Sequence, residues 1–375
     1  MPAKSGRGKA SERSAHAQTA QGAQESERAK ERAQLLSKPI KPVDFSKVST
    51  VSDLVEAFKN TSIQARNIGQ CADVVESMLK DKSRPTVILG LSGPLIAAGL
   101  RKVIRDMIEL GIVDVIASTG AVLYQDFYQA RGFKHYKGST DMDDTKLRDH
   151  YIDRIYDTLV DELKFEETDR YISTIMQKLE NRAYSSREFL SILGKHADDE
   201  ESILYTAYKH GVPVFSPALN DSSIGIGLTI YHAKNRGKPH ATIDPIQDNY
   251  ELTEIILKSS KTAVIYVGGG TPKNWINDSE VMAQYVFNPK IHGHEYAIQI
   301  TTANPTDGGL SGSTLQEAQS WGKIDKKATK ATAYVEASVA LPLIVGSIIQ
   351  KGVWKNRPRL QFKWKGDELV AVEKK

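Results

Sequence analysis

Cysteine is almost absent from the 375-residue sequence, which contains only Cys71. A single cysteine cannot form an intramolecular disulfide bond or a thiolate-based metal site, so we expect a cytoplasmic protein. No uninterrupted apolar run reaches the ~18 residues of a membrane-spanning helix. The nearest candidate, residues 335–349, contains Glu336 and Pro342. The amino terminus also lacks the apolar core of a secretory signal.

Several common catalytic and phosphate-binding motifs are missing as well. The sequence has no GxGxxG or GxxxxGK[ST] stretch, which excludes the standard glycine-rich phosphate loops. It has no GxSxG or HExxH stretch, which excludes the usual hydrolase elbow and metalloprotease helix. His292 and His294 lie two residues apart before a predicted strand. We predict a surface loop at this histidine pair, and we predict no metal site in the chain.

The chain also has little net charge, and most of its formal charge of +4 lies in the first 35 residues. Nucleic acid is therefore not expected to bind the folded part. We predict a disordered, polar and basic tail at 1–38, within which residues 25–36 could form a transient helix. A basic arm for an anionic partner is the alternative interpretation of this tail. A linker follows at 39–50, then a folded domain at 51–355 and a charged extension at 356–375.

Six short apolar runs in the domain end in small or polar residues. They are TVILGLSG (86–93), VDVIASTG (113–120), VPVFSPALND (212–221), TAVIYVGGGTP (262–272), YAIQITTANPTD (296–307) and ATAYVEAS (331–338). Helical patterns separate most of them, at 51–80, 95–110, 144–180, 188–210, 250–259 and 339–351. Strands that are apolar on both faces and alternate with helices indicate a mostly parallel sheet. The sequence therefore predicts an α/β fold with helices on both faces of the sheet, in a single large domain.

The ends of these predicted strands carry residues suited to ligand binding. Ligands of such sheets bind at the carboxyl ends of the strands. The Gly268–Gly270 stretch would let the backbone pass close to a ribose or nicotinamide. Acidic side chains at strand ends (Asp221, Asp307 and Glu336) could bind ribose hydroxyls or a cationic substrate. The alternative is that these segments are ordinary turns between strands and helices.

The stretch DGGLSGSTLQEAQSWGK, residues 307–323, has a separate chemical signal. Its glycines allow tight bends, and Thr314 and Glu317 have the spacing of a capping box that begins a short helix. Lys323 follows Trp321 closely, and desolvation beside a large aromatic ring favours the neutral, nucleophilic amine. The alternative is a solvated lysine near the end of a helix.

The order and spacing of seven motifs resemble the deoxyhypusine synthase family. The motifs are SGPLIAAGLR, ASTG, PVFSPALND, VGGGTPK, ITTANPTDGGLSGS, EAQSWGK and YVEAS. The resemblance covers roughly residues 51–351, and SPALND and SWGK are its most specific parts. The segment at 133–157 is similar to the bacterial deoxyhypusine synthase-like branch.

This resemblance implies a Rossmann-like core, homotetramers and an NAD-dependent 4-aminobutyl transfer from spermidine. A lysine captures the butylamine group as an imine, and an acceptor amine then displaces the lysine. The acceptor is a protein lysine in the synthases and putrescine in relatives that make homospermidine. By the same resemblance, Lys323 is the nucleophile, while Trp321, Glu317 and Asn274 contact the amine substrate. The implied NAD-binding residues are Ser92, Thr119, Asp221, Gly268, Gly269, Gly270, Thr302, Ala303, Asp307 and Glu336.

The sequence departs from the family pattern at several polar positions. Ile226, Asn274 and Leu310 stand where the family places polar residues around spermidine, and Tyr124 and Gln125 replace an acidic pair. Glu336 stands where the family more often has aspartate. The loss of a charged partner for a buried ammonium is expected to cost several kcal/mol. The true donor and acceptor amines are therefore left open, as is the possibility of a catalytically silent NAD-binding relative.

Overall fold

The computed structural model describes Gln24 and residues 26–375. The chain divides into two units, Met1–Val43 and Asp44–Lys375. In the first unit, residues 26–35 are helical and exposed. Most of the predicted tail, residues 1–23 and Glu25, lies outside the described residues.

The second unit contains thirteen α-helices and thirteen strands. The helices are α1 (Val51–Phe58), α2 (Ile63–Lys80), α3 (Arg101–Glu109), α4 (Gly120–Ala130), α5 (Asp144–Asp149), α6 (Glu162–Met176), α7 (Ser186–Ala197), α8 (Ile203–His210), α9 (Ser223–Asn235), α10 (Pro245–Lys258), α11 (Gly270–Met282), α12 (Glu317–Ser320) and α13 (Ala337–Lys351). The strands are β1 (Thr86–Leu91), β2 (Val115–Ser118), β3 (Tyr136–Lys137), β4 (Ile152–Ile155), β5 (Thr158–Asp161), β6 (Ala183–Tyr184), β7 (Val214–Phe215), β8 (Thr242–Ile243), β9 (Thr262–Val267), β10 (His294–Ile300), β11 (Ile324–Ala333), β12 (Leu360–Lys365) and β13 (Glu368–Lys374). Short 3₁₀-helices occur at Phe45–Lys47 and Pro305–Asp307, and a π-helical turn at Ala283–Phe287 extends α11. None of the described helices is long and apolar enough to cross a bilayer.

The central sheet has six parallel strands in the order β11-β10-β9-β1-β2-β7. Read from β7, this is the 3-2-1-4-5-6 order of a Rossmann fold, so the predicted fold class is confirmed. The chain leaves β1 towards β2 on one side and later returns to β9 on the other side. The switch in direction between β1 and β9 opens a crevice at the carboxyl edge of the sheet, where ligands bind in this fold.

Apolar cores cover both faces of this sheet, which explains why its strands read as continuous apolar runs. In β1, Val87, Leu89 and Leu91 point into one core, and Ile88 points into the other. Helices α2, α3 and α13 contribute to the first core, and α10 and α11 contribute to the second. Since alternate residues of a strand face opposite sides, burial on both faces requires apolar residues at every position.

Three local predictions differ from the structure. The helical stretch predicted at 144–180 is interrupted by the β4–β5 hairpin, which pairs with β3 in a separate three-stranded sheet. The strand predicted at 331–338 instead spans Ile324–Ala333 and begins directly after Lys323. The surface loop predicted for the histidine pair is wrong for His294, which is fully buried and contacts Glu280 at 2.9 Å.

Residues 356–375, predicted as a charged extension, form the β12–β13 hairpin within the second unit. Its apolar residues Leu360, Phe362 and Leu369 are buried in the core that contains α10 and α11. Before the hairpin, the Arg357 guanidinium donates to the Asp114 carboxylate at 2.7 Å. Arg84 contacts the same carboxylate at 2.7 and 2.9 Å. The structure therefore places no boundary at residue 355.

Asp114 is the shared anion of this buried cluster. Burial alone would raise its pKa, but Arg357 and Arg84 outweigh that effect and hold the pKa below its ordinary value. We expect Asp114→Ala to lower the free energy of unfolding by about 3–5 kcal/mol, because two buried guanidinium groups lose their counter-ion. Urea denaturation measures this change. The control Glu373→Gln, which removes an exposed carboxylate 4.0 Å from Lys363, should change stability by less than about 0.5 kcal/mol. Equal losses in the two variants would contradict the prediction.

Candidate functional site

The crevice between β1 and β9 is built from a serine and three glycines. The Ser92 hydroxyl accepts a hydrogen bond from Gly269 N at 2.8 Å, and its Oγ lies 3.4 Å from Val267 O. Gly268 has φ +79° and Gly270 has φ +60°, so the turn uses the left-handed conformations that favour glycine. Four predicted cofactor residues therefore meet at the point where strand order reverses.

Close backbone packing also explains these glycines. A Cβ added to Gly268 would lie 2.4 Å from Ser92 Oγ, and one added to Gly269 would lie 2.6 Å from Ser311 Cα. The glycine turn therefore has room for backbone only, between the loop that contains Ser92 and the loop that contains Ser311. The N–H groups of the three glycines are themselves hydrogen-bonded within the domain, to Ile300 O, Ser92 Oγ and Ser311 Oγ.

The remaining predicted cofactor residues follow other strands at the same edge. Thr119 directly follows β2, and its N–H donates to Leu91 O at 3.1 Å. Thr302, Ala303 and Asp307 follow β10, and Asp221 follows β7. The Asp307 carboxylate accepts from Gly309 N at 2.6 Å, and Asp221 is exposed with no resolved side-chain partner among the described residues.

Glu336 lies at the start of α13, where its carboxylate accepts from Ser338 N at 2.8 Å. It lines a cavity of about 630 Å³ together with Pro94, which follows β1, and with Tyr156 and Asp157 of the β4–β5 hairpin. The extra methylene of glutamate does not prevent its carboxylate from capping the helix. The cavity thus lies between Glu336 and the segment that follows β1.

The segment between β10 and β11 covers the first turns of α11. Ser311 Oγ accepts from Gly270 N at 3.0 Å, and Ser311 O accepts from Gln299 Nε2 at 3.0 Å. Lys273 Nζ donates to Ser313 O at 2.6 Å and approaches Ser311 O at 3.4 Å. This buried lysine therefore fastens the glycine-rich loop onto the helix that starts at the crevice.

Lys273 is 3% exposed, and its burial has an electrostatic consequence. Burial lowers the pKa of Lys273 from 10.5 to about 8; Glu317 opposes this shift and Lys323 adds to it. Lys273 is the last residue of the VGGGTPK motif, but the sequence of the motif does not indicate that this lysine is buried. Lys273 is the first site residue that the sequence analysis missed.

The predicted capping box in the segment is confirmed. Glu317 N donates to Thr314 Oγ1 at 3.0 Å, and Thr314 N donates to Glu317 Oε2 at 3.4 Å. The helix that follows is short, covering only Glu317–Ser320. The Glu317 carboxylate is exposed, and among the described residues it accepts a hydrogen bond from the Thr314 amide alone. It therefore has acceptor capacity left for a cation.

Lys323 reaches the middle of α11 with its amine. Its backbone lies at the amino end of β11, where Lys323 O accepts from His294 N at 3.1 Å. Its Nζ donates to Asn274 Oδ1 at 2.9 Å, and it lies 2.9 Å from Asp278 Oδ1. The Lys323 side chain is 14% exposed. Asn274 lies about 6 Å along the axis of α11 from its first residue, at 1.5 Å per residue.

The Trp321 ring lies beside this amine, as the sequence predicted. Lys323 Nζ is 5.4 Å from the ring centroid, within the range of a cation–π contact. Trp321 itself is 65% exposed, so in the single chain the indole covers one side of the amine only. The recessed amine therefore has an exposed indole on one side and the polar side chain of Asn274 on another.

Asp278 is the second site residue that the sequence analysis missed. Asn274 and Asp278 are four residues apart on α11, and Asn274 Nδ2 donates to Asp278 Oδ2 at 2.8 Å. The i, i+4 spacing places both side chains on one face of the helix. That spacing was visible in the sequence, but only the structure shows that Lys323 approaches this face.

The positions at which the sequence departs from the family pattern form two groups, one exposed and one held by hydrogen bonds within the domain. Ile226 on α9 and Leu310 are exposed apolar residues, and neither replaces the lost charge. The Tyr124 hydroxyl donates to Phe165 O at 2.8 Å, and Gln125 Oε1 accepts from Ala97 N at 3.3 Å. Asp126 is fully buried and accepts from Arg101, Ser202 and the amino end of α8. Tyr124, Gln125 and Asp126 are thus held by contacts within the domain.

Comparisons with known proteins agree with the fold. A family model described as deoxyhypusine synthase matches residues 53–348. A deoxyhypusine synthase-like protein of Chlorobaculum tepidum is 45% identical over 341 residues, covering 90% of this chain and 96% of the relative. A probable deoxyhypusine synthase 2 of Methanosarcina mazei is 43% identical over 338 residues, covering 89% and 96%. A crystal structure ascribed to deoxyhypusine synthase from Entamoeba histolytica has a TM-score of 0.57 at 19% identity, covering 88% of this chain and 100% of that one; it supports the fold.

The burial of Lys273 predicts a pH dependence of stability. Between pH 8 and 10.5 the unfolded chain holds this proton more firmly than the folded chain, so the free energy of unfolding should rise with pH across this window. We expect the wild type to gain about 3 kcal/mol relative to Lys273→Met over that range. Urea denaturation at several pH values measures the difference, with the exposed-residue variant Lys326→Met as control. Parallel curves for wild type and Lys273→Met would show that the lysine is not desolvated.

Proposed function

The chain belongs to the deoxyhypusine synthase family, and from this premise we propose that it is an NAD-dependent aminoalkyl transferase that uses a Lys323 imine. Membership of this family supports an aminobutyl-transfer function and an enzyme of the transferase class. The observation that carries the finer proposal is the position of Lys323 Nζ. It is recessed beside an indole and hydrogen-bonded to the helix that begins at the glycine crevice.

The crevice has the features that a dinucleotide requires. The glycine turn at Gly268–Gly270 joins β9 to the start of α11, and its lack of side chains suits the close approach of a pyrophosphate. Asp221, Asp307 and Glu336 provide carboxylates at the same edge, and these suit ribose hydroxyls. We therefore assign this edge to NAD, with Ser92, Thr119, Thr302 and Ala303 as further contacts.

When bound, NAD would supply hydride chemistry: it would accept a hydride from the carbon beside the secondary amine of a spermidine-like donor and return it to the imine formed with the acceptor. Lys323 then captures the resulting imine carbon, and diaminopropane leaves. The face of Trp321 suits a cationic amine chain, because an aromatic ring attracts positive charge. Glu317 has free acceptor capacity and would hold a terminal ammonium group, while Asn274 orients the reacting amine at 2.9 Å.

The side chains that replace the family's polar residues bear on the choice of acceptor amine. Ile226 and Leu310 provide apolar surface where the family places polar residues around spermidine. A small diamine such as putrescine needs contacts for its two ammonium ends only, whereas a protein lysine also needs a surface that accepts its flanking peptide. We therefore favour a small polyamine as acceptor, and a protein lysine is the second candidate. The exposed Trp321 also supports a homo-oligomer, in which a second subunit covers the open side of the indole.

Trapping of the lysine imine tests the proposed function. Incubation of the protein with NAD, labelled spermidine and borohydride should attach the label to Lys323, because borohydride reduces an imine to a stable secondary amine. Peptide mass spectrometry locates the label. Lys323→Arg should abolish it, whereas Lys326→Arg, which changes an exposed lysine of the same strand, should leave it unchanged. An unlabelled Lys323 with every plausible polyamine would reject the proposal.

The acceptor is identified by a product screen. With NAD, spermidine and putrescine, we expect homospermidine to accumulate, and Lys323→Arg should prevent its formation. Mass spectrometry of the reaction mixture measures the product. A protein lysine as acceptor would instead give a labelled protein and no new polyamine.

A catalytically silent NAD-binding relative is the alternative that Ile226 and Leu310 favour. This alternative predicts NAD binding by calorimetry without any formation of reduced cofactor on addition of polyamines. The recessed Lys323, the nearby indole and the free carboxylate of Glu317 count against it, because NAD binding alone requires none of them.

A further inference from the structure

We propose that Asp278 carries the protons that leave Nζ of Lys323 while the lysine imine forms. The inference rests on the proposed function of Lys323 and adds a catalytic residue to it. Asp278 Oδ1 lies 2.9 Å from Lys323 Nζ, which is within direct proton-transfer distance. It is the carboxylate that contacts this amine among the described residues.

A closed ring of contacts orients the carboxylate towards the amine. Asp278 Oδ1 faces Lys323 Nζ at 2.9 Å, while Asp278 Oδ2 accepts from Asn274 Nδ2 at 2.8 Å. Asn274 Oδ1 in turn accepts from Lys323 Nζ at 2.9 Å. Each of the three side chains contacts the other two, so rotation of any one breaks two contacts. Asn274 is thereby a positioning residue for both the carboxylate and the amine.

The exposure of the two partners fits this role. The Lys323 side chain is recessed, whereas the Asp278 side chain is 44% exposed. The carboxylate therefore keeps one side open to solvent while it contacts the amine. An exchanging proton acceptor needs this access, because it must release each proton to a departing molecule.

The proton balance of the reaction requires such a group. Nζ carries three hydrogens as an ammonium and one hydrogen as a protonated imine. The imine nitrogen of the donor carries one hydrogen, and the departing amine carries three as an ammonium. Two protons therefore move from Nζ to the departing nitrogen as one C–N bond forms and another breaks. Asp278 accepts and returns each proton in turn and ends as the carboxylate, and this step needs no oxidant or reductant.

The charge at Nζ explains why the ion pair does not oppose the reaction overall. Nζ is positive both in the ammonium and in the protonated imine, so Asp278 stabilises the two ends of the step similarly. Nζ is neutral only between them. A contact that stabilises both ends has little effect on the equilibrium, and its effect falls on the rate of proton transfer. General acid–base catalysis of this kind contributes about 10²–10⁴-fold.

An aldehyde assay tests this inference without NAD or a polyamine. Butanal condenses with an amine and loses water, two protons again leave Nζ, and cyanoborohydride fixes the product. We expect Asp278→Asn to slow labelling of Lys323 by about 100-fold. Asp278→Glu should recover part of the rate, and added acetate should accelerate Asp278→Ala. Glu373→Gln, which replaces an exposed carboxylate far along the chain, should label as the wild type does.

The outcomes separate this inference from the proposed function. Labelling of Asp278→Asn at the wild-type rate or faster would overturn the role of Asp278, because the carboxylate would then only stabilise the ammonium. Failure of acetate to accelerate Asp278→Ala would overturn it as well. Thermal unfolding of the variants identifies any loss of folding, which acetate could not restore. Absence of an adduct with NAD and polyamines would reject the proposed function alone, since the aldehyde assay needs neither.

Discussion

All six strands of the central sheet run in the same direction, and this constraint determines where the site lies. Parallel strands must be joined by crossovers that return over a face of the sheet, so their polar carboxyl ends collect at one edge. The crossovers after β9 and β10 pack on each other, and Ser311 and Lys273 hold them together. For this reason the lysine that precedes β11 meets the helix that follows β9, although they are distant in sequence. The contact between Lys323 and α11 is a consequence of strand order.

The elements that the sequence predicted are those whose signals are local. Strands β1, β2 and β9 are nearly continuous apolar runs because both faces of the sheet are buried. The two hydrogen bonds between Thr314 and Glu317 follow from their spacing alone. The β4–β5 hairpin was missed because its residues also fit a helical pattern, and its pairing with β3 depends on tertiary packing. His294 was misplaced for a related reason: its partner Glu280 lies on another element.

The other features that the sequence did not predict are contacts between side chains from distant segments. Asp278 is an ordinary helical aspartate until the crossover after β10 brings Lys323 to within 2.9 Å of it. Asp114 and Arg357 are far apart in the sequence, yet they belong to one buried ion-pair cluster. This cluster attaches the segment before the carboxyl-terminal hairpin to the rest of the domain. Charge pairs of this kind produce no periodic pattern in the sequence. The family motifs, by contrast, identify Lys323, Trp321 and the glycine turn as candidate site residues.

The distribution of carboxylates around the amine pocket bears on its substrate. Two positions where the family pattern has polar residues are apolar here, at Ile226 and Leu310, while Asp278 contacts the amine of Lys323, the proposed nucleophile. An anion on the channel wall stabilises a bound polyamine before and after the reaction, which affects binding alone. An anion at the reacting nitrogen can act on the step in which that nitrogen changes its protonation. For the proposed acceptor, a short diamine with two cationic ends and an apolar middle suits the apolar Ile226 and Leu310 better than a longer polyamine with a charged middle.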